Sequence, residues 1–210
     1  MIKVLITDDH PVVRQGLKQI LKDTADISVT GEANNGQEAL DQVLVNNFDV
    51  VLLDISMPGR SGLETLKELK HARPDLKVLI LSMFPEQQYA IRALKASAAG
   101  YLTKASAPEE LITAIRSVAH GRKYLSATLA EIIALDLSGE AAKLPHEALS
   151  NREYHVMCML AAGKTVSTIG KELALSAKTI STYRRRILDK LLMKSNAEIT
   201  HYVIQQGLIS

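Results

Sequence analysis

Two adjacent aspartates, Asp8 and Asp9, a third aspartate at 54, a serine at 82 and a lysine at 104 are the side chains best placed for chemistry. Three carboxylates held together repel unless a cation joins them, and an all-oxygen ligand set suits a hard divalent ion such as Mg2+. With that charge compensated, Asp54 has the character of a carboxylate nucleophile toward a phosphoryl group. The metal, the Ser82 hydroxyl and the Lys104 ammonium would neutralise the transferring oxygens. His10, in a first helical turn beside two carboxylates, reads as a hydrogen-bonding residue rather than a ligand or base.

For these residues to meet, the chain must deliver them to one edge of a sheet. Ile2 to Thr7 reads as a buried strand ending at Asp8-Asp9-His10, and Val50 to Leu53, a continuous apolar run, as another ending at Asp54. Val78 to Leu81 ends at Ser82-Met83, and Gly100 to Thr103 leads into Lys104. Ile27 to Gly31 is a weaker strand. Helical spacing follows each one: from Pro11 through Leu21, Gly36 to Asn46, Leu63 to Leu69, Glu86 to Ser97 and Pro108 to His120. Strands alternating with helices predict a five-stranded parallel sheet, doubly wound, because each parallel crossover needs a helix. Ligands of such sheets bind outside the strand carboxyl ends, where all five residues fall.

Composition narrows the function classes. At 210 residues with net charge +2, the chain holds two modest domains. A single cysteine, Cys158, excludes a disulfide framework or a cysteine-rich zinc site. There is no secretory h-region and no run of membrane-spanning length, so a cytoplasmic protein with no membrane contact is expected. No glycine-rich phosphate loop follows the first strand, which argues against nucleotide binding. Residues 1–144 carry 16 lysines and arginines against 18 acidic residues, whereas 145–210 carry 9 against 5. A small basic domain behind an acidic one implies that only the tail meets a polyanion.

Residues 1–121 resemble the receiver domain of bacterial two-component response regulators. The pieces that carry the likeness are Asp8-Asp9-His10-Pro11-Val12-Val13-Arg14-Gln15-Gly16-Leu17, Asp54-Ile55-Ser56-Met57-Pro58-Gly59, Leu81-Ser82, Gly100-Tyr101-Leu102 and Lys104. The resemblance implies that Asp54 accepts phosphate from a sensor histidine kinase. It further implies Mg2+ held by Asp9, Asp54 and the Ser56 carbonyl, with Asp8 acting through a water. Ser82 and Tyr101 become the pair whose reorientation reports phosphorylation. The competing structural readings are Ser82 as a helix cap and Tyr101 as a plain core aromatic. Many receivers carry a cis proline after the lysine; here Ala105 follows Lys104, which leaves the geometry of that bond open.

Residues 122–146 read as a linker, with Ser126 capping a short helix through Leu137 and a small, polar tether from Ser138 to His146. Beyond it, Ser150 to Ala162, Val166 to Leu173, Ser176 to Leu192 and Asn196 to Gln206 have helical patterns, with Ser150 and Glu153 forming a capping box. In the third, Ile180, Ile187 and Leu191 share one face and Lys178, Thr182, Arg185 and Asp189 the other, the pattern of a helix-turn-helix recognition helix.

Leu149-Ser150-x-Arg152-Glu153, Gly163, Ile169, Leu173, Leu175-Ser176-x-Lys178-Thr179-Ile180 and Ile187-x-x-Lys190-Leu191 resemble the LuxR-type DNA-binding domain, over 147–210. That likeness implies Ser181, Thr182 and Arg185 as base-facing residues and Lys178 with Arg184 or Arg186 as phosphate contacts. Val166, Thr168, Gly170 and Tyr183 depart from its usual residues. In the last helix Tyr202 is expected to be exposed and, by the resemblance, part of a dimer contact.

The expectation is therefore a response regulator of the NarL/FixJ-like group: a phosphorylation-dependent transcription factor with Mg2+ as cofactor, a histidine kinase and double-stranded promoter DNA as partners, and a homodimeric phosphorylated form. Its only catalysis would be its own phosphoryl transfer and slow self-dephosphorylation. Two competitors are a receiver kept only for dimerisation and an aspartate-nucleophile phosphatase. The phosphatase would need an acid two residues after Asp54, where Ser56 stands.

Overall fold

The computed structural model describes residues 1–137 and 144–209, which divide into two compact units, Met1–Ala130 and Glu131–Ser210. In the first, strands β1 (Ile2–Thr7), β2 (Ile27–Ala33), β3 (Val50–Leu53), β4 (Lys77–Ser82) and β5 (Gly100–Thr103) alternate with helices α1 (Pro11–Lys22), α2 (Gly36–Val45), α3 (Gly62–Ala72), α4 (Glu86–Lys95) and α5 (Pro108–Ala119). The sheet runs β2-β1-β3-β4-β5 with every pair parallel. Val50, Val51, Leu52 and Leu53 are all buried, as expected of a central strand with a helical layer on each face.

Register places the strand ends. Thr7 pairs with Leu53, Leu53 with Ile80, and Ser82 with Thr103. The next residues, Asp8, Asp54 and Lys104, therefore emerge along one edge. Backbone bonds carry the alignment past the strands: Asp54 N–H donates to the Thr7 carbonyl at 2.9 Å and Lys104 N–H to the Ser82 carbonyl at 2.7 Å. The strand order reverses between β1 and β3, the crevice where such sheets take ligands.

Helix ends follow side-chain chemistry. Asn35 caps α2, and Ser61 with Glu64 forms a capping box at α3 that the sequence reading did not single out. Ser126 accepts from Leu129 N–H at 3.0 Å at the start of α6 (Ala127–Leu137), where a cap was expected. The tether expected over 138–146 lies outside the described residues at 138–143, and a 3-10 helix at Pro145–Ala148 takes up part of what was read as polar linker.

The second unit contains α7 (Asn151–Ala161), α8 (Val166–Glu172), α9 (Ala177–Leu191) and α10 (Asn196–Gln205). α7 is the buried centre, packed on α9 and α10, and Ser150 and Glu153 make the expected capping box. Ile180, Ile187 and Leu191 turn α9 toward the core. Gly170, a departure from the LuxR-type pattern, lies where α8 meets the turn: Leu175 N–H donates to its carbonyl at 2.8 Å, and a Cβ would lie 2.8 Å from the Leu175 carbonyl. Glycine thus lets this helix-turn-helix close tightly.

Candidate phosphoacceptor site and nucleic-acid interface

Asp8 and Asp54 are each 2 % exposed, and Lys104 Nζ bridges them at 2.6 Å to Asp8 Oδ2 and 2.9 Å to Asp54 Oδ2. Asp8 is committed on both oxygens, because its Oδ1 accepts the His10 N–H at 2.9 Å. Asp54 is not: its Oδ1 is buried with no hydrogen-bond partner. A buried carboxylate oxygen without a well-formed donor is costly; the Ser56 backbone N–H makes the smallest contribution to this carboxyl, which leaves it suited to a further cation.

Electrostatics points the same way. Burial pushes the Asp54 carboxyl above its ordinary pKa, helped by Asp8 and opposed by Lys104. Burial alone would lower the Lys104 ammonium, but Asp54 and Asp8 outweigh it and hold the group above its usual value. The pair is thus one cation short of full compensation. Ligand atoms of Asp8, Asp9, His10 and Asp54 all lie within 4.8 Å of one another, and this oxygen-rich set fits Mg2+. His10 Nδ1 is within hydrogen-bond distance of Asp8 Oδ1 at 3.3 Å and lies 2.9 Å from Asp9 Oδ1.

Ser56 lies in the loop between β3 and α3, its hydroxyl buried and without a partner. That loop is held by a residue the sequence reading passed over. Gly62 N–H donates to the Ile55 carbonyl at 2.9 Å, and a Cβ on Gly62 would collide with the Asp54 carbonyl oxygen. Arg14 was also missed as a support: its guanidinium donates to the Asp8 carbonyl at 2.7 Å.

Ser82 and Tyr101 are fully buried. Ser82 is not a helix cap, since Pro85 occupies the α4 N-cap position; its Oγ instead accepts from Phe84 N–H at 3.2 Å. The Tyr101 hydroxyl donates to the Phe84 carbonyl at 2.8 Å, and burial raises its pKa well above the usual phenol range. Tyr101 is therefore a core aromatic and a hydrogen-bonded partner of the β4–α4 loop at once. No peptide bond among the described residues is cis, so Lys104–Ala105 is trans.

On α9, Lys178, Ser181, Arg185 and Arg186 are exposed and Thr182 is half-buried. Arg184 is turned aside, its Nε donating to Asn196 Oδ1 at 2.6 Å, which leaves Arg186 as the freer of the two arginines offered as phosphate contacts. Tyr202 departs from its expected exposure: it is half-buried, with its hydroxyl 2.8 Å from His146 Nδ1. Ile199 and Val203 are core residues of the unit.

A parallel five-stranded sheet with an acidic pocket and lysine at its carboxyl edge, followed by a helix-turn-helix, defines a class. Residues 4–116 match the response regulator receiver domain and residues 147–203 match the bacterial regulatory proteins of the luxR family. The chain belongs to the NarL/FixJ family of response regulators, which join a receiver to a LuxR-type DNA-binding domain. It is 40 % identical to the response regulator UvrY of Escherichia coli, over 99 % of this chain and 96 % of that one. It is 38 % identical to the response regulator GacA of Pseudomonas aeruginosa, over 100 % and 98 %. RcsB from Salmonella enterica serovar Typhimurium, bound to the rprA promoter with the phosphomimetic BeF3−, is similar in structure, with TM-score 0.68 and 26 % identity over 97 % of this chain and 98 % of that one.

Proposed function

We propose that Asp54 is the phosphoacceptor through which this response regulator controls its binding to promoter DNA. The observation that carries the reading is the unpartnered, buried Oδ1 of Asp54 beside Asp8, Asp9 and Lys104. In the transfer, an Asp54 carboxylate oxygen bonds to phosphorus as the P–N bond of a kinase phosphohistidine breaks, and the leaving imidazole takes up a proton. Lys104 supplies a fixed positive charge at the carboxylate, and the Ser82 hydroxyl is a donor within the same strand edge. Asp9, Asp54 and the Ser56 carbonyl would hold Mg2+, with Asp8 acting through a water; when bound, it supplies charge against the transferring oxygens.

The proposed domain limits are 1–121 for the receiver, 122–146 for the linker and 147–210 for the DNA-binding domain, in keeping with the family matches. α9 enters the major groove, with Ser181, Thr182 and Arg185 toward bases and Lys178 and Arg186 toward phosphates. A homodimer would set two such helices about one helical turn apart. Promoter binding by RcsB supports this reading. No helix among the described residues is long and apolar enough to cross a membrane.

Asp54→Asn tests the acceptor. Mg2+-dependent labelling by a small radioactive phosphodonor should disappear in the variant, and undiminished labelling would remove Asp54 from the role.

A further inference from the structure

Immediately after α5 the chain folds back onto the receiver rather than leaving it. Lys123 Nζ donates to the Ala98 carbonyl at 2.5 Å and Tyr124 N–H to the Ala99 carbonyl at 2.9 Å. Tyr124 bridges to Gly100 in parallel, and its hydroxyl donates to Glu110 at 3.0 Å. The segment thereby covers the otherwise open edge of β5. Its end is anchored by one residue with two tasks: the Ser126 hydroxyl donates to Glu86 Oε2 at 2.6 Å, and the same oxygen accepts the Leu129 N–H that starts α6.

Glu86 opens α4, two residues after Phe84. Phe84 is held at both polar groups by the inner pair, its N–H by Ser82 Oγ and its carbonyl by the Tyr101 hydroxyl. An unbroken series of contacts thus joins the strand end beside Asp54 to the first turn of α6. We propose that Glu86 and Ser126 form a latch that pins the linker to the unphosphorylated receiver and opens when Ser82 is drawn toward a phosphoryl group on Asp54. The inference rests on the acceptor role proposed above. To donate to a phosphoryl oxygen on Asp54 the Ser82 Oγ must rotate toward it, which carries that oxygen out of reach of Phe84 N–H, so residues 83–86 shift and the Glu86 carboxylate leaves Ser126. The Ser126 cap and the Tyr124 bridge lose their anchor, and the start of α6 frays, because a helix that loses its N-terminal anchor opens from that end.

Hydrogen exchange of the full chain, read on peptides spanning 122–130 with Mg2+ and with or without acetyl phosphate, tests the latch while mass spectrometry follows phosphate on Asp54. In the native protein, phosphorylation should speed exchange of this segment about tenfold or more. Glu86→Ala leaves the Ser126 cap in place but removes its anchor, so it should exchange fast without the donor and gain less than about twofold on phosphorylation; Ser126→Ala should do the same. Full phosphorylation of Asp54 with unchanged exchange at 122–130 would overturn the latch and leave the acceptor role standing. Normal protection in Glu86→Ala would also overturn it. Absence of any phosphate on Asp54 would instead overturn the acceptor role.

Discussion

Asp54 carries a cost before it carries a phosphate. Because burial raises its folded pKa, the native state holds this proton more tightly than the unfolded chain does. Stability from this group is therefore fully present below the ordinary carboxyl pKa and is lost as pH rises through the raised value. Without metal, Asp54→Asn should be more stable than the native protein at pH 7 and should show a flatter acid-side profile in urea titrations. Added Mg2+ should narrow that difference, and a variant less stable at pH 7 without metal would contradict the balance of charges described. Lys104→Met removes the ammonium that bridges Asp8 and Asp54 and should destabilise the receiver by about 3 kcal/mol, as for a broken buried pair. Its phosphodonor labelling should fall while Mg2+ binding persists. The identities of Asp8, Asp9, Asp54, Ser82 and Lys104 were legible because each follows an apolar run at a strand end. The supports were not: Arg14 acts through a backbone carbonyl and Gly62 through the absence of a side chain, so neither has a compositional signature.

Among the elements, the β3–α3 loop depends on backbone proximity. Gly62→Ala should push the Asp54–Ile55 backbone away from the start of α3, costing about 1–3 kcal/mol, as overpacking does, and lowering the rate of phosphodonor labelling. Unchanged stability and labelling would show that the loop relaxes freely. In the second unit, Lys190 donates to buried Glu153 at 2.6 Å and ties α9 to α7. Burial opposes ionisation of Glu153, but Lys190 and the Ser150 cap win and hold its pKa below the usual value. That stability is present above the ordinary glutamate pKa and lost as pH falls through the depressed one. With Lys190 partly exposed, Lys190→Met should cost about 1–2 kcal/mol at pH 7, shrinking on acidification in thermal melts of the full chain. Most helices and strands were legible from apolar period and caps to within one or two residues. The 3-10 helix at Pro145–Ala148 was missed because four residues give no period, and the Tyr202–His146 and Arg184–Asn196 bonds because sequence spacing does not encode such contacts.

For the whole molecule, charge asymmetry and two successive patterns pointed to an acidic α/β unit followed by a basic helix-turn-helix, and it was the likeness of their motifs to receiver and LuxR-type domains that implied a regulator. The path between them was read as linker, since the contact of Ser126 with Glu86 spans 40 positions and rests on two ordinary polar residues. Binding through Lys178, Arg185 and Arg186 should weaken steeply with salt, and Lys178→Ala should reduce the salt slope by about one while lowering affinity similarly across sequences. Arg185→Ala should cost about 1–3 kcal/mol and relax preference at the base it faces. The most direct test joins both ends: promoter-DNA affinity at fixed salt and Mg2+, with and without acetyl phosphate, for the native chain and Asp54→Asn side by side. The donor should tighten binding by the native protein and leave Asp54→Asn unchanged; equal tightening of both, or of neither, would contradict control through Asp54.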